Sequence, residues 1–218
     1  MSGPLIVSFF TKGTVYEKEV EDLRASCSGL GLELFVLGVP DQGSWQANCC
    51  YKAKFILDCV RRFQRPLWWV DADAVILQAP VMPGGDVDVA LYFNDFAKRI
   101  ARAGTIYCAP TRATEQFLER WHVSCLRTFE RQPDFPFGDQ GQLPDVLLGM
   151  EELRVGRLPV EYVHIFDRDA VPLEKSVVLH TQASRTAQMS ALFWGHLSGK
   201  ELKRMRMENS VLRTELLP

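Results

Sequence analysis

Residues 65–80 read RPLWWVDADAVILQAP. Two carboxylates, Asp71 and Asp73, stand one residue apart between the apolar runs LWWV and AVIL. Strands covered on both faces of a sheet read as continuous apolar runs, and the two acids break that reading. Alternate residues of a strand share a face, so both carboxylates can point the same way. Like charges this close repel, and desolvation adds to the cost. A divalent cation removes both penalties. Carboxylate oxygens suit Mg²⁺ or Mn²⁺, which also take diphosphate oxygens from a substrate. If the strand ends near Asp71, both acids sit at the carboxyl edge of a parallel sheet, where open α/β sheets bind ligands. The plainer alternative is a solvated turn that happens to carry two acids; the apolar flanks argue against it.

The neighbouring segments set this strand in an alternating pattern. PLIVSFFTKG, from Pro4, is a short apolar run ending in a polar turn, a first buried strand. Tyr16, Val20, Leu23 and Cys27 then fall at helical spacing, and SGLG stops that helix. LELFVLGVP is a second strand. From Asn48, a candidate N-cap, Cys49, Ala53, Ile56, Val60 and Phe63 form one helical stripe. The quoted stretch follows as the third strand. Strand, helix, strand, helix, strand predicts an α/β domain with a largely parallel sheet. Further on, VDVALYF and GTIYCAP read as strands. Thr111 caps a helix whose apolar face is Phe117, Leu118, Trp121, Cys125 and Phe129. RQPDFPFGDQGQLPD reads as a loop broken by Pro and Gly. Short strands are expected near LRVGRLP, EYVHIF and SVVLHT. The charged segment from Lys200 reads as a helix.

The totals narrow the function. The 218 residues are enough for one sizeable domain and too few for two comfortable ones. A formal net charge of -2 gives no electrostatic case for a nucleic-acid binder. None of the six cysteines forms C-x-x-C, and the four histidines show no zinc-ligand spacing with them. The cysteines read as reduced core thiols, and the protein as cytoplasmic. No run reaches the roughly 18 apolar residues of a membrane span. A Walker phosphate loop and a G-x-G-x-x-G fingerprint are both absent from the sequence.

The order of motifs around the acids carries a resemblance. WWVDADAVI, with Pro80 beyond it, resembles the D-x-D strand of GT-A glycosyltransferases, the nucleotide-diphospho-sugar transferases. SWQANCCYKAKFILDCV resembles the helix before that strand, GTIYCAPTRATEQFLERW a later strand and helix, and FGDQGQL the Asp-Gln motif. LPVEYVHIFD and VVLHTQASR resemble the late strands, the second carrying a metal-ligand histidine. The resemblance covers most of residues 4–186. It implies a single GT-A-like catalytic domain over residues 1–199, with residues 200–218 as its C-terminal helical tail. The sheet would be mainly parallel but mixed, flanked by helices, with a Rossmann-like nucleotide-binding half.

By the same resemblance Asp71, Asp73 and His180 would hold the metal, with Asp71 also meeting the ribose. The imidazole tilts the choice from Mg²⁺ toward Mn²⁺. Thr11 and Lys12 would line the nucleotide pocket, and Lys52 or Lys54, chiefly Lys54, would meet phosphate. Asp139 and Gln140 would lie by the sugar, as base, hydroxyl ligand or support beneath the anomeric carbon. Many retaining members follow the histidine with Gly and Lys-Pro-Trp. This chain has HTQASR instead, with Arg185 as the candidate charge near the diphosphate. The implied activity is metal-dependent transfer of a sugar from a nucleotide-diphosphate sugar, UDP being the commonest base. Glycan, protein, lipid and modified-nucleobase acceptors are all compatible with the sequence. DADAVI also fits the nucleophile strand of haloacid-dehalogenase-like phosphatases, with Asp71 attacking phosphate. That strand normally opens its fold, whereas two strand–helix units precede it here. A sugar-nucleotide-binding module without turnover is the non-enzymatic alternative.

Overall fold

The computed structural model describes residues 4–183. Arg185 and the 200–218 tail, both singled out above, lie outside the described residues. The first half follows the expected alternation: β1 (Leu5–Thr11), α1 (Tyr16–Gly29), β2 (Glu33–Val39), α2 (Trp45–Phe63) and β3 (Leu67–Val70). The remaining strands are β4 (Ala74–Ile76), β5 (Val89–Asp95), β6 (Ile100–Cys108), β7 (Val155–Arg157), β8 (His164–Ile165) and β9 (Val178–His180), with α3 (Arg112–Arg131) and α4 (Leu143–Leu148) between β6 and β7.

Six strands form the main sheet in the order β2-β1-β3-β6-β5-β7. The first strand pairs in parallel with β2 and β3, and β5 with β7. Strand β6 runs antiparallel to both β3 and β5, so the sheet is mixed as expected. A second, three-stranded sheet has the order β4-β9-β8.

The apolar run LWWV is explained by its place near the middle of the main sheet. Leu67 and Trp69 face a core shared with α2, α3 and α4, whereas Trp68 and Val70 face one shared with α1 and the small sheet. Successive strand residues point to opposite faces, and here both faces are covered. All four residues are buried.

The expected single third strand is instead two. The main-sheet ladder continues one residue past Val70, where the Asp71 N–H donates to the Gly104 carbonyl at 2.9 Å. The chain then turns through Ala72 and Asp73 and re-enters as β4 in the other sheet. Strand β4 packs beside α1, where the Ile76 N–H donates to Ser26 Oγ at 3.1 Å. Three further differences are local. The cap of α2 is Ser44, whose hydroxyl accepts from the Ala47 N–H. Asn48 lies inside the helix, and its amide braces the preceding loop through Gln42 and Asp41. Strand β6 starts four residues earlier than GTIYCAP because it pairs with β5 as a hairpin. The segment from Gln140 to Leu148, expected as loop in its first part, is helical throughout. Thr111 caps α3 as expected, accepting from the Thr114 N–H.

Removing the α2 cap leaves a first-turn N–H without its side-chain acceptor. Ser44→Ala should therefore cost about 1 kcal/mol, a melting-temperature drop of roughly 2–4 °C for a chain of this size. A melting curve that overlays the parent would show that Ser44 does not set the start of the helix.

Candidate active site

The carboxyl ends of β1 and β3 open into a pocket of about 280 Å³. Its lining includes Thr11, Lys52, Asp71, Asp73, Asp139, Gln140 and His180, which stand far apart in the sequence. Each reaches the pocket by a definable local device.

Asp71 and Asp73 are carried there by the turn between β3 and β4. The Trp69 indole N–H donates to Asp71 Oδ1 at 3.1 Å. Asp73 is buried, and its Oδ2 accepts from the Ala183 N–H at 2.8 Å. His180 arrives through the small sheet, where antiparallel pairing of β4 with β9 sets it opposite Ala74, one residue from Asp73. The Thr181 N–H and hydroxyl both donate to the Asp73 carbonyl, at 3.0 and 2.9 Å. The imidazole lies against the β6 backbone at Gly104. A Cβ there would stand 2.7 Å from His180 Cε1, so any side chain would push the ring away. Thr105 Oγ1 holds Nε2 at 3.0 Å.

One ligand atom from each of Asp71, Asp73 and His180 lies within 4.8 Å of the others. Burial first, and then the charge of Asp71, raise the Asp73 carboxyl to about 6. Burial first, then Lys52, lower the His180 imidazole to about 3, so the ring is neutral at pH 7. Two carboxylates beside a neutral imidazole are a donor set that fits a divalent ion of the Mg²⁺ or Mn²⁺ kind.

Lys52 ties this cluster to the opposite wall. Its ammonium is 2.9 Å from Asp71 Oδ1 and 3.1 Å from Asp139 Oδ2. It also donates to the Ala103 carbonyl at 3.3 Å and lies 5.5 Å from the centre of the Trp69 ring. Burial pulls the ammonium's pKa down, but Asp139 and then Asp71 outweigh it and hold the group charged. The contact to Asp139 lacks hydrogen-bond alignment, so that buried oxygen has a charge partner and no donor. Burial, with Asp71 adding to it, raises the Asp139 carboxyl against the pull of Lys52. Asp139 stands at the start of a short 3₁₀ turn, Gln140–Gln142, but its side chain makes no cap bond. Its backbone carbonyl is held by the buried Trp121 indole N–H at 2.8 Å. Gln140 Oε1 accepts from the Ala103 N–H at 3.1 Å, which leaves its NH₂ as a donor.

Two of the lysines expected at the nucleotide, Lys54 at the phosphate and Lys12 in the pocket lining, do not line the pocket. Lys54 points to solvent and pairs with Asp58 one turn along α2, at 2.6 Å, outside the pocket. Lys12 is exposed, and its stem packs over Gly38 at the end of β2. Thr11 does line the pocket, and its carbonyl accepts from the Thr14 hydroxyl at 2.7 Å. The helical stripe could have separated the two lysines. Position 52 is three residues after Cys49 and four before Ile56, on the buried face; position 54 is off it. No comparable signal marks Tyr16, Trp45, Asn94 or Arg102, which also line the pocket. Arg102 is committed to Asp169 through both terminal nitrogens, at 2.5 and 2.8 Å.

No protein-family model matches the sequence, and no curated protein matches it. Solved structures do. A glycosyltransferase involved in the glycosylation of the major capsid of PBCV-1 superposes with a TM-score of 0.62 at 13% identity, over 94% of this chain and 99% of that one. The glycosyltransferase GlyE of Streptococcus pneumoniae TIGR4 gives 0.55 at 13% identity, and its apo form 0.58 at 12%. Both superpositions cover 97% of this chain, which spans 64% of GlyE's length. The chain has the fold of these glycosyltransferases, the GT-A-like arrangement its motif order resembles.

The raised Asp73 carboxyl has a consequence for stability in EDTA. Its folded pKa of about 6 lies above the unfolded value, so the folded state holds the proton more tightly. Below about pH 4 both states are protonated and the side chain costs nothing. The penalty grows as pH rises through 4 to 6 and is complete above that. Asp73→Asn should therefore stabilise the metal-free protein at pH 8 by about 3 kcal/mol, roughly 6–12 °C, with little gain at pH 4. A melting difference that stays constant across this range would show that Asp73 is not held at a desolvation cost.

Proposed function

We propose that the protein is a glycosyltransferase, moving a sugar from a nucleotide-diphosphate sugar to an acceptor with the help of Mn²⁺ or Mg²⁺. The observation that carries this is the Asp71–Asp73–His180 cluster, its ligand atoms within 4.8 Å of one another in a pocket at the carboxyl edge of the sheet. The fold shared with known glycosyltransferases supports it. The unpaired cysteines fit a cytoplasmic setting. Among the described residues no helix is long and apolar enough to cross a membrane.

Sugar transfer breaks the bond between the anomeric carbon and the diphosphate, and negative charge grows on the departing oxygen. Asp71, Asp73 and His180 would hold the cation, which would supply Lewis-acid stabilisation of that charge. The protein's own residues prepare the site. Lys52 holds Asp71 and Asp139 in fixed positions and offsets their charges, which would otherwise repel across the pocket. Thr105 and Gly104 fix the plane of His180. Asp139, held against Lys52, lines the pocket and is the carboxylate suited to lie by the sugar. Gln140, pinned by the Ala103 N–H, offers its NH₂ beside it. Thr11 and Tyr16 line the pocket at β1 and α1 and suit the nucleoside, with UDP the favoured base.

The test pairs ligands with metal. UDP, GDP, ADP and CDP are each added with and without Mn²⁺ while melting is followed. The productive pair, at one hundred times its Kd, should raise stability by about 2.7 kcal/mol, a shift of roughly 5–10 °C that EDTA erases. Asp71→Asn and Asp73→Asn should each abolish that shift and lower donor turnover at least ~100-fold, about 2.7 kcal/mol of barrier, while remaining folded. No shift with any nucleoside diphosphate, alongside Mg²⁺-dependent release of phosphate from a phosphoester, would overturn the reading in favour of a phosphatase.

A further inference from the structure

The pocket has a wall that neither the metal cluster nor the nucleoside side uses. Strands β1 and β6 flank β3 on opposite sides. Thr11 of β1 lines the pocket on one side; Asn94 of β5 and Arg102 of β6 line it on the other. The β5–β6 ladder skips Asn94, since Phe93 pairs with Ala101 and Asp95 with Ile100. Such a bulge bends its strand and re-aims the extra side chain. Arg102 Nε donates to Asn94 Oδ1 at 3.3 Å, and Asp169 holds both terminal nitrogens of Arg102. A guanidinium only donates, so the Asn94 atom that meets it is the carbonyl oxygen. Asn94 is exposed, and its NH₂ is left as a donor.

Gln140 repeats the device one residue along β6, where the Ala103 N–H fixes it by its oxygen. Two amides held by adjacent residues of one strand thus each present a donor. An aromatic ring stands next to them in the chain. Phe137 lines the same pocket and is 58% exposed. One exposed apolar side chain is ordinary on a surface; this one belongs to a polar pocket and is fixed there. Its ring packs edge-on against Phe135, with centroids 5.7 Å apart. Both rest on the backbone of the turn that carries Gln140. A Cβ at Gly141 would stand 2.5 Å from Phe135 Cε1 and 2.9 Å from Phe137 Cβ.

A sugar ring carries the complementary pattern. Its C–H face is apolar and weakly positive, suited to the negative face of an aromatic ring. Its rim carries oxygens that accept from amide N–H groups. Ligand pockets commonly join aromatic side chains to a few placed polar groups in this way. Other acceptor classes fit less well. An acyl chain would leave both amide donors unpaired beneath it. A nucleic-acid strand needs cations for its phosphates, and Lys52 and Arg102 are each committed to carboxylates. A peptide offers carbonyl oxygens to the amides, but its backbone has no flat C–H face for the ring.

We propose that Phe137 and Asn94 form the acceptor subsite and that the acceptor is a saccharide, its ring stacked on Phe137 and one of its oxygens taking the Asn94 amide beside Gln140. That the bound saccharide is the acceptor rests on the glycosyltransferase reading; the saccharide site itself does not. Saturation-transfer NMR tests it, with UDP and Mn²⁺ present. The probes are the methyl glycosides of glucose, galactose and N-acetylglucosamine, with N-acetylserinamide for a peptide. Parent protein should pass saturation to at least one glycoside, most strongly to its ring C–H protons. Phe137→Ala should raise the half-saturating concentration about fivefold or more, the factor one ring contact is worth, and Phe137→Trp should restore binding. Asn94→Asp keeps the oxygen that Arg102 holds and loses the NH₂. It should weaken binding by about the factor of one hydrogen bond, again about fivefold, whereas a merely structural role would leave this variant like the parent. Melting curves show that each variant is folded. The UDP–Mn²⁺ melting shift of the parent tests sugar transfer separately. Its absence, with glycoside binding retained, removes the transferase reading and leaves the saccharide site standing. No transfer to any glycoside, transfer to N-acetylserinamide instead, or Phe137 and Asn94 variants that titrate like the parent would overturn the saccharide site.

Discussion

The buried ammonium of Lys52 is the point where three parts of the chain are fixed against one another. It comes from α2, and it meets Asp71 at the end of β3 and Asp139 ahead of the 3₁₀ turn. A buried ion pair is weak evidence for stability, since desolvation commonly cancels the attraction. Its value here is positional. Removing the lysine would leave the half-buried Asp71 and the buried Asp139 facing each other with nothing between them. With it in place, Asp71 and Asp139 are held at opposite sides of one pocket, and the remaining acid, Asp73, is left without a cation in direct contact among the described residues. The charge imbalance is therefore concentrated at Asp73 and His180, the position a divalent ion would fill.

The surrounding packing makes that arrangement rigid. Trp69 supplies its N–H to Asp71 while its ring fills the core beneath α2, against Phe9 and Phe55. Trp121 of α3, fully buried, holds the backbone of Asp139. Two residues that read in the sequence simply as core thus position the acids. Preorganisation of this kind is what a polar site needs, because dipoles and charges held in place cost no reorganisation when charge develops.

The elements that depend on local pattern were legible. The apolar stripe of α2, the Thr111 cap and the β-α-β-α-β order follow from periodicity and capping, and the structure has them. The acids were legible for the opposite reason, as the residues that violate the pattern of their strand. The break after Val70 was not, because AVIL is as strand-like as LWWV, and only the long-range pairing of β4 with β9 shows that it belongs to another sheet. The same limit explains Arg102, whose role depends on Asp169, and Gly104, whose lack of a side chain matters only because His180 lies on it. Lys52 is the instructive case. Its place on the buried stripe was visible, but a lysine on an apolar face reads as a stem snorkelling to water until the two acids that meet it are known.

The division of the cluster between two sheets has a consequence for how the site is built. Asp71 extends the main sheet by one residue, whereas His180 belongs to the small one. The small sheet is slight, with β4 and β9 of three residues each and β8 of two. Strands so short contribute little on their own. They are secured by α1 through Ser26, by the Asp73 carbonyl that accepts twice from Thr181, and by apolar packing of Ala74, Ile76 and Val178. A ligand shared by Asp71, Asp73 and His180 would add a cross-link between the sheets at the turn where the chain passes from one to the other. Any binding free energy that requires this geometry appears as stability of the folded form, and its local effect would be concentrated on the pairing of β4 with β9. The acids that break an otherwise apolar strand are thus placed where one ion can join the large sheet to the small one.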